Sequence, residues 1–251
     1  MGKLDGKVAI VTASAGAGIG QAILRRFAAE GAKVVVTDAH ERRTMEVYQD
    51  LKSKGYECIG VPCDVRNWEQ VQNLVNKTIE AFGKVDILVN NAGINRIAKL
   101  QDVTDEIWDL VLGVNLRGTF YCSKAVLPHM LKQKWGRIIS ISSAEIFIGS
   151  PMGEVPYATA KAGIVGFSRC LAREVIREGI TVNVIAPGFI PNPFLERIYG
   201  KEGIKAMEEA MPMGKGGRPE DIAAAATFLA SDEAYYITGC IICVSGGLAF
   251  W

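Results

Sequence analysis

Seven short runs rich in β-branched residues recur along the chain, separated by longer segments whose apolar residues follow helical spacing. The runs read "KVAIVT", "KVVVTD", "ECIGVP", "VDILVN", "GRIISIS", "ITVNVIAP" and "GCIICV". Each is strand-length and apolar at successive positions, the pattern of a strand covered on both faces. Helical spacing runs from Ile19 to Glu30, Trp68 to Phe82, Ile107 to Leu131, Tyr157 to Arg177 and Pro219 to Leu229. Strands that alternate with helices pair in parallel through right-handed crossovers. The expected fold class is therefore α/β: a doubly wound parallel sheet of about seven strands flanked by helices.

No charge run, repeat or Pro/Ser-rich linker interrupts the alternation, so residues 1–251 are expected to form one domain. A hydrophobic content of 49% with a net charge of +1 suits a globular core, and offers no broad field for nucleic acid or an anionic membrane. No leader or membrane-spanning stretch is visible, so a soluble, cytoplasmic protein is expected. The six cysteines are expected to be reduced and buried. Cys240 and Cys243 have metal-like spacing, but on a strand they point to opposite faces, and no metal site is expected. The one irregular stretch, residues 189–217, mixes chain breakers with short helical pieces. In this architecture it reads as an excursion over the strand C-termini, where ligands bind and a lid can close.

Between the first strand and first helix lies "VTASAGAGIG", with Gly16, Gly18 and Gly20 at the junction. Glycines let the backbone approach a pyrophosphate, and a helix N-terminus presents unpaired N–H groups to it. The spacing is G-x-G-x-G rather than the common G-x-G-x-x-G, so a plain strand-to-helix turn is an equal reading of these residues alone. Asp38, at the end of the second strand, suits a ribose hydroxyl and repels a 2′-phosphate. This favours NAD over NADP, although Arg42 and Arg43 stand close enough to serve a phosphate.

"YATAK" sets Tyr157 and Lys161 four residues apart, on one helix face. A nearby ammonium favours the phenolate and is expected to lower the tyrosine pKa toward that of a useful general acid/base.

With these motifs in order, the chain resembles the short-chain dehydrogenase/reductase family from Lys3 to Gly247, and among its members the 3-oxoacyl-thioester reductases and bacterial alcohol dehydrogenases. The resemblance rests on the glycine loop, "CDV" with Asp64, "NNAG" at residues 90–93, "NLRG" from Asn115, "ISISS" ending at Ser143, "YATAK", and "APG" at residues 186–188. It implies a Rossmann-like fold and an NAD(P)-dependent oxidoreductase interconverting a secondary alcohol and a ketone. By resemblance, Tyr157 exchanges the proton, Lys161 lowers its pKa and holds the nicotinamide ribose, Ser143 binds the reacting oxygen, and Asn115 holds a relay water. Ser142 is the competing serine, and Ser143 is preferred. The resemblance further implies cofactor contacts from Ser14, Gly16, Gly18, Ile19 and Gly20 at the phosphates, Asp38 at the adenosine ribose, and Asp64 and Val65 at adenine. Asn91, Ala92 and Gly93 would line the ribose, and Pro187, Gly188, Ile190 and Asn192 the nicotinamide. Two departures stand out: Ala13 follows Thr12 where the family has glycine, with one extra residue before Gly18, and Asn192 replaces a common threonine. The extra residue is expected to bulge the turn.

The substrate wall is expected around Phe189, Phe194 and Leu195, with Glu145 and Glu154 as polar contacts or solvent-facing residues. This suits a small-molecule substrate that is hydrophobic, cyclic or acyl, including a 3-oxoacyl thioester on acyl carrier protein or CoA. A dinucleotide-binding sensor or scaffold is the non-enzymatic alternative, and the four residues Asn115, Ser143, Tyr157 and Lys161 weigh against it. The resemblance also implies a homotetramer or homodimer paired through the helices at residues 104–131 and 155–177.

Overall fold

The computed structural model describes residues 2–250, apart from the side chains of Phe194, Ile198 and Tyr199. The Phe194 substrate contact thus lies outside the described residues. Each of the seven β-rich runs holds one strand: β1 (Val8–Val11), β2 (Lys33–Val36), β3 (Cys58–Gly60), β4 (Ile87–Asn90), β5 (Gly136–Ile141), β6 (Ile180–Pro187) and β7 (Ile241–Val244). All pair in parallel in the order β3-β2-β1-β4-β5-β6-β7. The order reverses between β1 and β4, so the chain segments leaving these two neighbours diverge and open a crevice at the strand C-termini.

Successive strand residues go to opposite faces and both faces are covered, which is why the runs are continuously apolar. Ala9 and Val11 of β1, Val34 and Val36 of β2, and Ile87 and Val89 of β4 pack into one core. That core is closed by α1 (Ile19–Ala29) and α9 (Pro219–Ala230) through Ile23, Leu24, Phe27, Ile222 and Leu229. Ile10, Val35 and Leu88 face the other core. There they meet α3 (Trp68–Phe82), α5 (Gly118–Gln133) and α7 (Val155–Val175) through Val71, Leu74, Val126 and Leu171.

The expected helix over Trp68–Phe82 has those bounds, set by Asn67, whose side chain accepts from the Gln70 N–H, and by Gly83 in a left-handed C-cap. The expected single helix from Ile107 to Leu131 is instead α4 (Asp105–Leu112), a π turn over Gly113–Arg117, and α5. Three further helices lie outside the expected helical segments. Within α2 (Glu41–Ser53) only Thr44, Val47 and Leu51 are buried, and α6 (Glu145–Ile148) is barely one turn. The third, α8 (Pro193–Glu209), is broken at Gly200 and occupies most of the excursion.

The expectation of six buried thiols is corrected: Cys63 and Cys122 are buried, but Cys170 and Cys240 are exposed and Cys58 and Cys243 half-buried. Cys170 lies on the outer side of α7, and Cys240 precedes the last strand, outside the alternation that would bury it. Among the described residues no helix is long and apolar enough to cross a membrane.

Candidate active site

The glycine loop is held from behind by β4 and β2. The Thr12 hydroxyl accepts from the N–H groups of Asn91 and Ala92, each at 2.9 Å, and the Asn91 side-chain amide donates to the carbonyls of Thr12 (2.9 Å) and Ala13 (3.3 Å). Asn91 therefore shapes the loop with its side chain. Ser14 ties the loop to the end of β2. It is fully buried, its N–H donates to the Thr37 carbonyl at 2.9 Å, and its hydroxyl accepts from the Thr37 N–H at 3.1 Å. Both groups are spent on the end of β2.

Ala13 sits at φ 52°, the left-handed conformation that a glycine takes without strain. It thus stands where the family's first glycine is expected. Gly18, at φ 149° and ψ −154°, adopts a backbone that essentially only glycine reaches, and it begins α1. The start of α1 has no side-chain cap and no acid in its first turn. Its N–H groups and partial positive charge are left to an anion approaching from the crevice. Gly16 and Ile19 are half-buried beside this opening.

Asp38 follows β2, and its carboxylate accepts from the His40 N–H at 3.0 Å and lies 3.6 Å from the Arg43 guanidinium. Arg42 is directed along the exposed side of α2 to Glu46. Asp64 is engaged by its neighbour: Arg66 Nη2 donates to it at 2.6 Å, and this contact holds the carboxyl below the usual range. Val65 is buried against Gly118, its side chain in the core.

At the C-terminal end of β5 the two candidate serines separate. Ser142 is buried and its hydroxyl donates to the Lys161 carbonyl at 2.9 Å. Ser143 is half-buried, accepts from the Glu145 N–H at 3.2 Å, and hydrogen-bonds the Tyr157 side chain. Lys161, one turn along α7 from Tyr157, is 3% exposed, and its ammonium lies 5.5 Å from the tyrosine ring centre. It donates to the Ile141 carbonyl at 2.7 Å, and burial lowers its pKa to about 8 against an opposing pull from Glu145.

Tyr157 overturns one expectation: its pKa is raised, not lowered. Burial is the first cause and the Glu145 charge the second, against which the Ser143 hydrogen bond is the stabilising contact for a phenolate. A neighbouring ammonium does not outweigh desolvation here, because the phenol is itself buried.

The π turn carries Asn115, whose side-chain N–H₂ donates to the carbonyls of Ile94 (2.9 Å) and Val111 (2.8 Å). Its Oδ1 is buried without a partner. A Cβ on Gly93 would stand 2.7 Å from that oxygen and 3.2 Å from Lys161 Nζ, so Gly93 lets the loop after β4 close on this pair. On the far wall, Pro187 accepts from the Ala144 N–H and Gly188 packs on Ser245, while Ile190 is buried in the core. Asn192 accepts from the Leu195 N–H at 3.1 Å and so caps α8. Phe189 and Leu195 are half-buried nearby.

Neither glutamate simply faces solvent. Glu154 accepts from Asn95 and Ser150 through its two oxygens, and Glu145 Oε2 is buried without a partner. The network of Asn95 and Ser150 had no signal in the sequence, since each is an ordinary loop residue until the fold brings their segments together.

A doubly wound sheet with a glycine loop at its switch point and a serine, tyrosine and lysine gathered at the next strand end defines a dinucleotide-dependent oxidoreductase site. The family described as enoyl-(acyl carrier protein) reductase matches residues 13–249. The chain is 40% identical to the (2S)-[(R)-hydroxy(phenyl)methyl]succinyl-CoA dehydrogenase subunit BbsD of Thauera aromatica, covering 97% of each. It is 42% identical to the 3-oxoacyl-[acyl-carrier-protein] reductase FabG of Escherichia coli over 97% of this chain and 98% of that one. The crystal structure of gox2181 superposes with a TM-score of 0.93 at 37% identity, covering 99% of this chain and 98% of that chain. The chain belongs to the short-chain dehydrogenase/reductase family, whose members are NAD(P)-using oxidoreductases of hydroxyl and keto groups.

Proposed function

We propose that the chain interconverts a secondary alcohol and a ketone, with Tyr157 giving the proton to, or taking it from, the reacting oxygen. The observation that carries this reading is the convergence of Ser143, Tyr157 and Lys161 at the C-terminal end of β5 and the start of α7, with the Lys161 ammonium 5.5 Å from the tyrosine ring centre. In this reading Ser143 shares the reacting oxygen with Tyr157, and Lys161 hands protons to the Asn115 side of the site. The uncapped α1 N-terminus and the open glycine backbone at Gly18 fit the pyrophosphate of a nicotinamide dinucleotide, which supplies or accepts the hydride when bound. Asp38 supports NAD over NADP, because a carboxylate just past the end of β2 can accept from a ribose hydroxyl and repels a 2′-phosphate, and it also engages Arg43.

Exposed Ile97, Ile148 and Met152, on the segments that follow β4 and β5, suit a hydrophobic or acyl substrate. The names of the relatives support a second reading within the same chemistry, a 3-oxoacyl or 3-hydroxyacyl thioester. The 189–217 excursion is then a lid whose helix is capped by Asn192. Exposed Phe120 on α5 supports pairing of copies through the long helices, which light scattering tests.

Spectrophotometric turnover of cyclic alcohols, ketones and 3-oxoacyl thioesters with NAD and NADP tests the reading beside Tyr157→Phe. The variant is expected to lose about 10²-fold or more in kcat while binding NAD as before. Wild-type turnover by Tyr157→Phe overturns the reading.

A further inference from the structure

The first turn of α7 is held from outside the helix. Tyr157 lies in that turn, Pro156 precedes it, and the start of the helix has no side-chain cap. The opening N–H groups of a helix have no intrahelical partner, so its first turn takes its position from what surrounds it. Here the surroundings are two loops joined to each other. The Ala98 N–H, in the loop after β4, donates to the Gly153 carbonyl at 2.9 Å, and Lys99 Nζ donates to the Pro151 carbonyl at 2.6 Å. The approach is close: a Cβ on Gly153 would stand 2.6 Å from the Ala98 carbonyl oxygen.

Glu154 closes this joint at the residue that begins α7. Its carbonyl accepts from the Ala158 N–H at 2.9 Å. Its carboxylate accepts from Asn95 Nδ2 through Oε1 and from the Ser150 hydroxyl through Oε2. The Ser150 oxygen is itself fixed, accepting from the Met152 N–H at 3.2 Å. Asn95 Oδ1 is buried without a protein donor, and reversing the amide would set that oxygen against Glu154. The Asn95–Glu154 bond therefore has one workable polarity. Asn95 in turn follows Gly93 and Ile94, which adjoin Lys161 Nζ and the Asn115 side chain. One carboxylate thus ties the Asn115 side of the site to the turn that carries Tyr157.

We infer that Glu154 is a positioning residue for the proton step: clamped by Asn95 and Ser150, it fixes the first turn of α7 against the loop after β4 and so sets where the Tyr157 hydroxyl meets the reacting oxygen. The inference rests on Tyr157 being the group that exchanges the proton. Lys161, one turn further along, does not depend on the clamp, because it is buried and anchored to the Ile141 carbonyl at 2.7 Å. The glycine loop and the start of α1 follow β1, outside the joined loops. Loss of the clamp therefore shows in the chemical step and not in NAD binding. A misplacement of about 1 Å at a reacting group costs up to about 10²-fold in rate.

The test exchanges donor and acceptor across the pair. Asn95→Asp sets two carboxylates face to face and is expected to lower kcat roughly tenfold or more, with NAD affinity by calorimetry unchanged. When Asn95→Asp is combined with Glu154→Gln the polarity is reversed, an amide on the helix side donating to a carboxylate on the loop side, and most of the lost kcat returns. Hydrogen exchange at the Ala98 N–H, read in the full chain without substrate or cofactor, quickens in Asn95→Asp and slows again in the double variant. A wild-type kcat in Asn95→Asp, a loss confined to the substrate KM, a double variant no better than the single one, or an unmoved Ala98 exchange overturns the inference. The exchange readout requires no turnover, so it stands apart from the failure mode of the functional reading, which is retained activity in Tyr157→Phe.

Discussion

The side-chain amide of Asn91 stands where a methyl group on Gly20 would have to go: a Cβ at position 20 would lie 2.3 Å from Asn91 Nδ2 and 2.6 Å from the Ala13 carbonyl oxygen. The same amide holds the Thr12 and Ala13 carbonyls, so helix α1, the glycine loop and the end of β4 share one contact. Gly20→Ala is expected to push α1 away from this contact and cost about 1–3 kcal/mol of stability. It also weakens NAD binding, which calorimetry reads alongside thermal denaturation. An unchanged melting temperature and unchanged affinity would contradict the close approach.

Ala13→Gly should stabilise the chain. An L-residue in the left-handed region costs about 1–2 kcal/mol, and Ala13 is held there at φ 52°. Glycine removes that strain but adds backbone entropy to the unfolded chain, about 0.5–1 kcal/mol. The net gain is about 0–1.5 kcal/mol, measurable as a higher urea midpoint. A lower midpoint sinks the argument.

Lys161 trades stability for chemistry. Its pKa falls from 10.5 in the unfolded chain to about 8 in the fold, so between these values the unfolded state binds more protons and stability rises with pH. Below pH 8 the folded protein carries a buried ammonium at a cost of about 3 kcal/mol, one pKa unit being about 1.4 kcal/mol. Lys161→Met removes that cost and loses the bond to the Ile141 carbonyl, worth about 1 kcal/mol. The variant is expected to gain about 2 kcal/mol at pH 7, to lose the rise in stability between pH 8 and pH 10.5, and to turn over negligibly.

Asp38→Ser tests cofactor choice. Removing the carboxylate takes away the repulsion of a 2′-phosphate and releases Arg43 to meet one. The ratio of kcat/KM for NADP to that for NAD is expected to rise roughly tenfold or more, the worth of a charged hydrogen bond. A constant ratio would place cofactor choice elsewhere.

The architecture was legible because the dominant signal is local: strands buried on both faces are apolar throughout, and the helices between them keep their period. What escaped was also local in cause. Helix α2 buries Thr44, Val47 and Leu51 at helical spacing, but they stand among mostly charged and polar residues that mask the stripe, and the π turn at Gly113–Arg117 leaves the apolar spacing on either side nearly intact. At the site, Tyr157 and Lys161 declared themselves by a four-residue spacing on one helix. The commitment of Ser14 to Thr37, of Asn91 to the glycine loop and of Glu154 to Asn95 did not, because each joins segments distant in the chain. The acidity of Tyr157 was misread for the same reason: neighbours on the helix were visible, whereas burial and Glu145 become visible only in the assembled fold.

The reversal of strand order between β1 and β4 has a kinetic consequence. The pairing of Ala9 with Ile87 joins strands separated along the chain by α1, β2, α2, β3 and α3. Parallel pairings of such sequence separation form slowly, since the entropy of closing each loop is lost before the contact rewards it. The crevice therefore comes into being late, when β1, β4 and β5 lie side by side. During refolding, recovery of NAD binding should lag the return of helical circular dichroism, and NAD added at the start should raise the final yield of native chain more than the rate at which helices appear.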